Sequence, residues 1–305
     1  MFNAERVRSK RPSMTVAERA QSSQNTRVKM IDPPYRTVAV ASTFSPRFLQ
    51  VIAEGKRIRD RLCRQMHLIY VGKCDEETTR KFSEAFLQLK LPSESTIHYQ
   101  EGDPAVAILA VAATNEIDLL VAGALEKEAV LRPFLGNVAR RLVREAACSV
   151  MLFTKPEQEP KPLGRIVFMA EYSEHGRSAL EKALRLALLE KCEKLFVIRV
   201  YTSFDEARAK ARSSAGEVAG SELPRTLEEE EAALEEFIDS AGETDVPIEA
   251  RCIRGNTGYA ALDFVQAVEA MLLVVPVDPQ QSADGLPPHV SWVTDVIPCN
   301  LWVIR

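Results

Sequence analysis

Gly123 and Gly136 flank a loop whose backbone could hold a phosphate group. Gly123 follows an apolar run at residues 117–121, and Gly136 precedes a helical pattern that begins near Asn137. The first N–H groups of a helix have no partner within the helix, and the helix dipole favours anions at that end. Glycine can take positive φ and lets a ligand come close to the backbone. Since Asn137 could cap the helix and donate from its amide, the loop predicts a phosphate site at the helix start.

Glu126, which lies inside this loop, opposes tight phosphate binding. A carboxylate facing a phosphate costs on the order of 1 kcal/mol per charge pair in water, and several times more in a dry crevice. Glu126 could instead hold a Mg²⁺ ion that accompanies a nucleotide. Three interpretations stay open: a weak nucleotide site, a strand end and capped helix without a ligand, and a site for another small molecule. Basic residues in or after the loop that could offset the carboxylate are Lys127, Arg132, Arg140 and Arg141.

The composition is typical of a soluble globular protein. The chain has 305 residues, of which 46% are apolar and 27% charged, and its formal net charge is −4. This bulk charge predicts neither nucleic acid nor an anionic membrane as a partner. No apolar run approaches the roughly 20 residues of a membrane helix, and the N-terminus lacks the apolar core of a signal peptide. The six scattered cysteines have no metal-binding spacing, so reduced thiols and a cytoplasmic location are expected.

No pattern of catalytic side chains accompanies the loop. The sequence has no Ser/His/Asp order, no paired carboxylates, and no Walker or GxGxxG loop. Cys148 and Cys299 occupy matching positions before the last strand of each half, where burial is the simplest interpretation. A protein that is not an enzyme is therefore expected, with slow ATP hydrolysis at Glu126 as the minor alternative. The four histidines are isolated in the sequence and are expected to be structural or at the surface: His67, His98, His175 and His289.

The elements that position the loop occur twice along the chain. Residues 102–121 align without a gap with residues 255–274, and the strand-like run 37–45 aligns with 165–173. The pattern of each half predicts alternating strands and helices. One additional strand is predicted just before residue 102 in the first half, near residues 95–99, and just before residue 255 in the second. The predicted class is α/β, with two tandem doubly wound domains, each a five-stranded mostly parallel sheet flanked by helices. Such sheets bind ligands beyond the carboxyl ends of their strands, where the strand order reverses.

Composition suggests where the domains begin and end. Residues 1–34 are basic and polar and predict a disordered tail. Residues 35–154 form the first predicted domain, and the proline-rich residues 155–163 predict a linker. Residues 164–305 form the second domain, in which residues 227–238 predict an amphipathic helix with an acidic face.

From about residue 35 onward, each half resembles a universal stress protein domain, and the whole resembles a tandem universal stress protein. Residues 40–46, V-A-S-T-F-S-P, are similar to the opening strand of that family, usually V-A-x-D-F-S. Residues 102–104, G-D-P, and the strand D-L-L-V-A-G at 118–123 are also similar to family motifs. The most specific family motif, G-x2-G-x9-G-[ST], fits the spacing of the loop. Glu126 replaces its second glycine, however, and Asn137 replaces its Ser or Thr.

The resemblance implies that the first domain binds ATP or another adenine nucleotide, with Mg²⁺ only as a companion of the nucleotide. Thr43 replaces the acid that reads adenosine in the family. The second half departs further, because Pro276 aligns with Gly123 and residues 287–288, both proline, align with 136–137. We therefore expect it to be a structural partner. The residues that the resemblance places around the nucleotide are Ala41, Ser42, Thr43, Val71, Gly123, Glu126, Gly136, Asn137 and Val138.

The resemblance also implies a regulatory role in a stress response. An interaction module that binds no nucleotide is the alternative, and the sequence identifies no protein partner. Family domains usually pair through their last strands, so residues 150–153 and 301–304 are expected to pair within the chain. Further association into a homodimer is compatible with this arrangement.

Overall fold

The structure of the protein is a computed structural model that describes residues 32–43, 45–124, 135–215, 224–280, 286–287 and 290–305. Most of the predicted basic tail, and the part of the glycine-flanked loop that contains Glu126, lie outside these ranges. Residues 33–305 form one unit. No helix within the described ranges is long and apolar enough to cross a membrane.

The first half alternates strands and helices. In chain order its described elements are β1 (Tyr35–Ser42), α1 (Phe48–Leu62), β2 (Cys63–Val71), α2 (Glu76–Leu89), β3 (Thr96–Gln100), α3 (Pro104–Thr114), β4 (Leu119–Gly123), α4 (Asn137–Glu145) and β5 (Ser149–Phe153). Local capping fixes two helix starts. The Asp75 carboxylate accepts a hydrogen bond from Thr78 N at 2.8 Å, and the Asp103 carboxylate accepts one from Val106 N at 2.9 Å. The additional strand predicted near residues 95–99 is present as β3.

The second half repeats this alternation with two differences. Its described elements are β6 (Arg165–Met169), α5 (Glu174–Leu189), β7 (Lys194–Tyr201), α6 (Ser203–Ala215), α7 (Leu227–Ser240), β8 (Ile248–Arg254), α8 (Thr257–Ala267), β9 (Leu272–Pro276), a 3₁₀ helix (Ser291–Thr294) and β10 (Asn300–Ile304). The prediction of one helix between β7 and β8 is wrong, because α6 precedes the predicted acidic helix α7. The described residues between β9 and β10 contain only the 3₁₀ helix. Pro287 disfavours a longer helix there, since proline removes an N–H donor and fixes φ.

All ten described strands join one sheet in the order β3-β2-β1-β4-β5-β10-β9-β6-β7-β8. Neighbouring strands are parallel except β5 and β10, which pair antiparallel with Trp302 opposite Met151. The expected α/β class, with a mostly parallel sheet and flanking helices, is confirmed. The two five-stranded arrays are halves of one continuous sheet, because their last strands pair as the sequence suggested.

Small residues let two helices pack closely on the central strands. Ala179, Ala183 and Ala187, spaced by four residues on α5, are fully buried as the sequence predicted. On α1, a Cβ atom added at Gly55 would lie 2.2 Å from Val40 Cγ2 on β1. The helices that follow β1 and β6 are therefore held directly against the sheet, which fixes the carboxyl edge where those strands end.

A buried ion network holds the predicted linker against both halves. Arg57 on α1 donates to Glu54 Oε2 at 2.6 Å and to Glu190 Oε2 at 3.0 Å. Glu190, which follows α5, also accepts from Leu163 N at 2.9 Å. Burial raises the pKa of Glu54, and the charge of Arg57 opposes that shift. Arg57 Nη1 also donates to Lys161 O at 2.6 Å. Residues 155–163, which contain no helix or strand, are thus hydrogen-bonded to both halves.

Candidate functional site

The carboxyl ends of β1 and β4 lie side by side at the centre of the first half. Ala41 pairs with Ala122, so Ser42 and Thr43 reach the same edge of the sheet as Gly123. The strand order reverses here, because β2 and β3 lie on one side of β1 while β4 and β5 lie on the other. Doubly wound sheets bind their ligands at such an edge.

The two ends of the glycine-flanked loop meet at this edge. Gly136 N donates to Ala124 O at 3.1 Å, and Ala124 N donates to Phe153 O at 2.9 Å. One expectation for the start of α4 is wrong. Gly136, not Asn137, is the N-cap residue, and it has φ −62° and ψ 155°, so it does not use the positive φ that glycine permits. The bond to Ala124 holds residue 136 in an extended conformation, and α4 begins without a side-chain cap.

Ser42, at the end of β1, carries a buried hydroxyl group for which the described residues offer no partner. Ser42 is 8% exposed, and its Oγ has no hydrogen-bond partner among the described residues. A buried polar group left unsatisfied costs about 1–3 kcal/mol. The residue aligned with Ser42 in the second half is Ala170, which is equally buried at 7% exposure. The fold itself therefore needs no polar group at this position.

The other predicted residues lie at the same edge with different exposures. Thr43 and Asn137 are exposed, whereas Val71 and Val138 are half-buried. Val71 ends β2, the neighbour of β1, and Val138 packs against the apolar core beneath α4. Glu126 lies outside the described residues, so the position of its carboxylate relative to the edge stays a prediction.

Two arginines near the edge differ from what the sequence suggested. Arg141 was expected to offset the loop carboxylate, but it lies 2.9 Å from Asp103 and 2.9 Å from Glu145 and is already paired. Arg47, just before α1, donates from Nη1 to Thr154 O at 3.4 Å, close to the end of β5. The comparison of motifs did not single out Arg47. Its position shortly after β1 was the feature of the sequence that could have indicated it.

The corresponding edge of the second half is filled by its own side chains. Arg199 Nε donates to Glu230 Oε1 at 2.9 Å, and Arg225 Nη1 lies 3.5 Å from Glu230 Oε2. Both guanidinium groups also lie over the Tyr172 ring, at 5.1 and 5.2 Å from its centroid. Burial raises the pKa of Tyr172, which keeps its hydroxyl protonated.

Close packing further restricts this second edge. Glu171, the acid aligned with Thr43, accepts a hydrogen bond from Ser173 Oγ at 3.1 Å. A Cβ atom added at Gly176 would lie 1.9 Å from Glu171 O, so the first turn of α5 lies directly against this segment. Pro276, the counterpart of Gly123, is buried in β9. These contacts agree with a structural second half.

The sequence suggested that all four histidines are isolated, but two of them are paired. His67 Nδ1 and His98 Nε2 lie 2.8 Å apart, and the rings stack with centroids 5.0 Å apart. The register of β2 against β3 places His98 opposite Ile69, two residues beyond His67. Strand prediction gives the two strands but not this register. His175 Nε2 lies 3.1 Å from a carbonyl oxygen of β10, and His289 lies outside the described residues.

Cys148 and Cys299 have the environment expected of structural thiols. All six cysteines are free. Burial raises the pKa of Cys148 to about 11 and that of Cys299 to about 12. Because the thiolate is the reactive species, burial makes both groups inert near neutral pH.

A family model matches part of the chain. Residues 35–154 match the model of the universal stress protein family. This matched segment carries the β1–β4 edge with Ser42, Gly123 and Gly136.

A universal stress protein of Methanocaldococcus jannaschii is 39% identical to this chain over 59 residues. That match covers 19% of this chain and 35% of the relative, so it spans about a third of the relative's length.

Solved structures show the same fold over a larger part of the chain. A universal stress protein from Archaeoglobus fulgidus is 14% identical, with a TM-score of 0.57 over 88% of this chain and 98% of that one. A protein of unknown function from Pseudomonas aeruginosa is 15% identical, with a TM-score of 0.65 over 88% of this chain and 92% of that one. At these identities the similarity shows the fold of both halves, and nothing about their ligands.

Proposed function

We propose that the universal stress protein domain at residues 35–154 binds an adenine nucleotide weakly, and that the protein is a cytoplasmic regulator in a stress response rather than an enzyme. The nucleotide, ATP or a related adenine compound, would lie beyond the carboxyl ends of β1 and β4. Mg²⁺ would enter only together with the nucleotide phosphates. The second half would support the first as a structural partner.

The buried hydroxyl of Ser42 is the observation that carries this proposal. It lies without a described partner at the carboxyl end of β1, where the strand order reverses. The neighbouring strand β4 ends at Gly123, and the loop that follows leads to α4, a helix that begins without a side-chain cap. Free N–H groups at a helix start favour an anion, and a buried hydroxyl favours a polar ligand atom. A nucleotide has both kinds of group, a phosphate and a ribose or base.

The second half supports the proposal by contrast. Its edge places Glu230 between two arginines and a tyrosine ring, and Pro276 replaces the glycine at the end of the strand. Proline provides no N–H group and lets no ligand approach the backbone as closely as glycine does. The proposal therefore predicts one nucleotide per chain.

Calorimetry with ATP and Mg²⁺ on the full chain tests the proposal. A dissociation constant of about 1 mM corresponds to about 4 kcal/mol, so nucleotide should be titrated to the millimolar range. We expect a stoichiometry of one, together with an upward shift of the unfolding temperature. Absence of both heat and thermal shift would refute nucleotide binding and leave the interaction module as the better interpretation.

Gly123→Ala tests where the nucleotide binds. Its added methyl group would lie 3.3 Å from Val51 Cγ2, a contact that requires only a small shift, but it would block close approach to the backbone. Gly164→Ala is a matched control at the first residue of the second half, where the nearest atom would lie 3.4 Å away. We expect weaker binding in the first variant and unchanged binding in the second. Measured phosphate release with wild-type protein would instead favour a slow ATP hydrolase, with Glu126 as its base or metal ligand.

A further inference from the structure

The His67–His98 pair lies within the segment 35–154, on β2 and β3, four and two residues before the carboxyl ends of these strands. The side chains extend from the neighbouring strands β2 and β3, and both are half-buried, so solvent reaches them. A distance of 2.8 Å between His67 Nδ1 and His98 Nε2 means that one nitrogen donates a proton and the other accepts it. The nucleotide proposal does not use either ring.

We propose that His67 and His98 form a binding site for a divalent transition-metal ion of the zinc class. Neutral imidazole is a common ligand of Zn²⁺, Cu²⁺ and Ni²⁺. With Zn–N bonds of 2.0–2.1 Å, two nitrogen ligands of a tetrahedral zinc ion lie about 3.3 Å apart. The two nitrogens need to separate by only about 0.5 Å from their present distance to hold the ion between them.

Metal binding at this pair needs a shift of protons but no redox partner. In the present arrangement one proton lies between the two nitrogens. Each neutral ring carries a single proton, which can move to its other nitrogen and free the lone pair that faces the ion. The ion therefore binds without net proton release at a pH where both rings are neutral.

The surroundings keep both rings in the form that binds metal. Burial lowers the pKa of His67 and His98, and the neighbouring ring lowers that of His67 further. Both shifts favour the neutral ring, which is the form that binds a metal ion. Within the described ranges no third His, Cys, Asp or Glu completes a cluster with them. Water would supply the remaining ligands, so an exchangeable ion is expected rather than a permanent structural one.

The consequence of binding is a link between the edge strand and the sheet. β3 is the last strand of the sheet on the side of the first half and pairs only with β2. An ion held by one ligand from each strand would cross-link them, and any ligand that binds only the folded state stabilises it. Zn²⁺ should therefore raise the unfolding temperature of the protein.

The test is a Zn²⁺ titration of the full chain, without a polyhistidine tag, at pH 7.5 by calorimetry and by thermal unfolding. His67→Gln and His98→Gln each remove one ligand at a half-exposed position where the fold should survive. Loss of a group that only supports a metal ligand already costs about 10–100-fold in affinity. Loss of a ligand should therefore weaken Zn²⁺ binding at least about tenfold and abolish the thermal shift.

His175→Gln is the matched control, because His175 is also half-buried but lies on α5, far along the chain from the pair. It should bind Zn²⁺ like the wild type. Wild-type protein that shows neither heat nor thermal shift would overturn the proposal. So would unchanged affinity in the two test variants, or an equal loss in all three variants, which would show that the pair is not the site. Circular dichroism of each variant checks that the fold is intact.

Discussion

Ser42→Ala separates the cost of the buried hydroxyl from its use by a ligand. A typical intramolecular hydrogen bond contributes about 0.5–1.5 kcal/mol, so loss of a bond from Ser42 to a nucleotide should weaken binding about 2- to 12-fold. The folded protein should not lose stability, because Ser42 Oγ has no described partner and Ala170 occupies the aligned position in the second half. Removal of an unsatisfied group should leave the free energy of unfolding unchanged or raise it by up to about 1 kcal/mol.

Ser149→Ala is the matched control, since it removes a buried serine hydroxyl that is hydrogen-bonded. Ser149 Oγ accepts from Tyr35 Oη at 3.0 Å and from Arg305 N at 3.1 Å. Its loss should lower the free energy of unfolding by about 1–3 kcal/mol and leave nucleotide affinity unchanged.

Urea unfolding and calorimetry measure the two effects independently. If Ser42→Ala destabilises the protein as much as Ser149→Ala does, the hydroxyl has a partner within the fold, and the reasoning is refuted. If its stability is preserved but nucleotide affinity does not change, the hydroxyl does not contact the ligand.

Three further predictions concern a buried ion pair, a close helix contact and the exposure of the thiols. Glu190→Gln removes one of the two carboxylates that pair with the buried Arg57 and should cost about 1–3 kcal/mol of unfolding free energy in urea. Gly176→Ala introduces a methyl group 1.9 Å from Glu171 O and should cost about 1–3 kcal/mol, whereas Gly164→Ala, measured in parallel, should be nearly neutral. Cys74 is the exposed thiol among the six cysteines, so a thiol reagent at pH 7.5 should modify it first. Equally fast modification of Cys63, Cys192 or Cys299, located by mass spectrometry, would contradict the burial of these three thiols.

The sequence predicts the fold well because the pattern repeats. Apolar runs such as residues 117–121 and their aligned counterparts in the second half are typical of buried parallel strands, and these segments are strands in the structure. Residues 227–238 form the acidic helix that their periodicity indicated. The additional helix α6 was not predicted, because its sequence is polar and weakly periodic and because no segment of the first half aligns with it.

The site was predictable in outline but not in detail. The spacing between Gly123 and Gly136 correctly indicated a strand end and a helix start that meet at one edge. Asn137 was assigned the cap because cap preferences rank asparagine above glycine, but the bond from Gly136 N to Ala124 O decides where the helix begins. Pairs such as His67 and His98 depend on the register of two strands, which residue types alone do not specify.

The two halves show which feature of the edge the fold does not require. In the second half, Ala170 avoids the buried hydroxyl, and the charge of Glu230 is compensated by arginine. In the first half, Ser42 retains a group that costs about 1–3 kcal/mol when unsatisfied, although the second half shows that a single substitution avoids this cost. A strand end and a helix start without a ligand leave that cost unexplained. A ligand whose polar atom meets Ser42 at the reversal of strand order explains it, which is why the nucleotide hypothesis is preferred over the purely structural one.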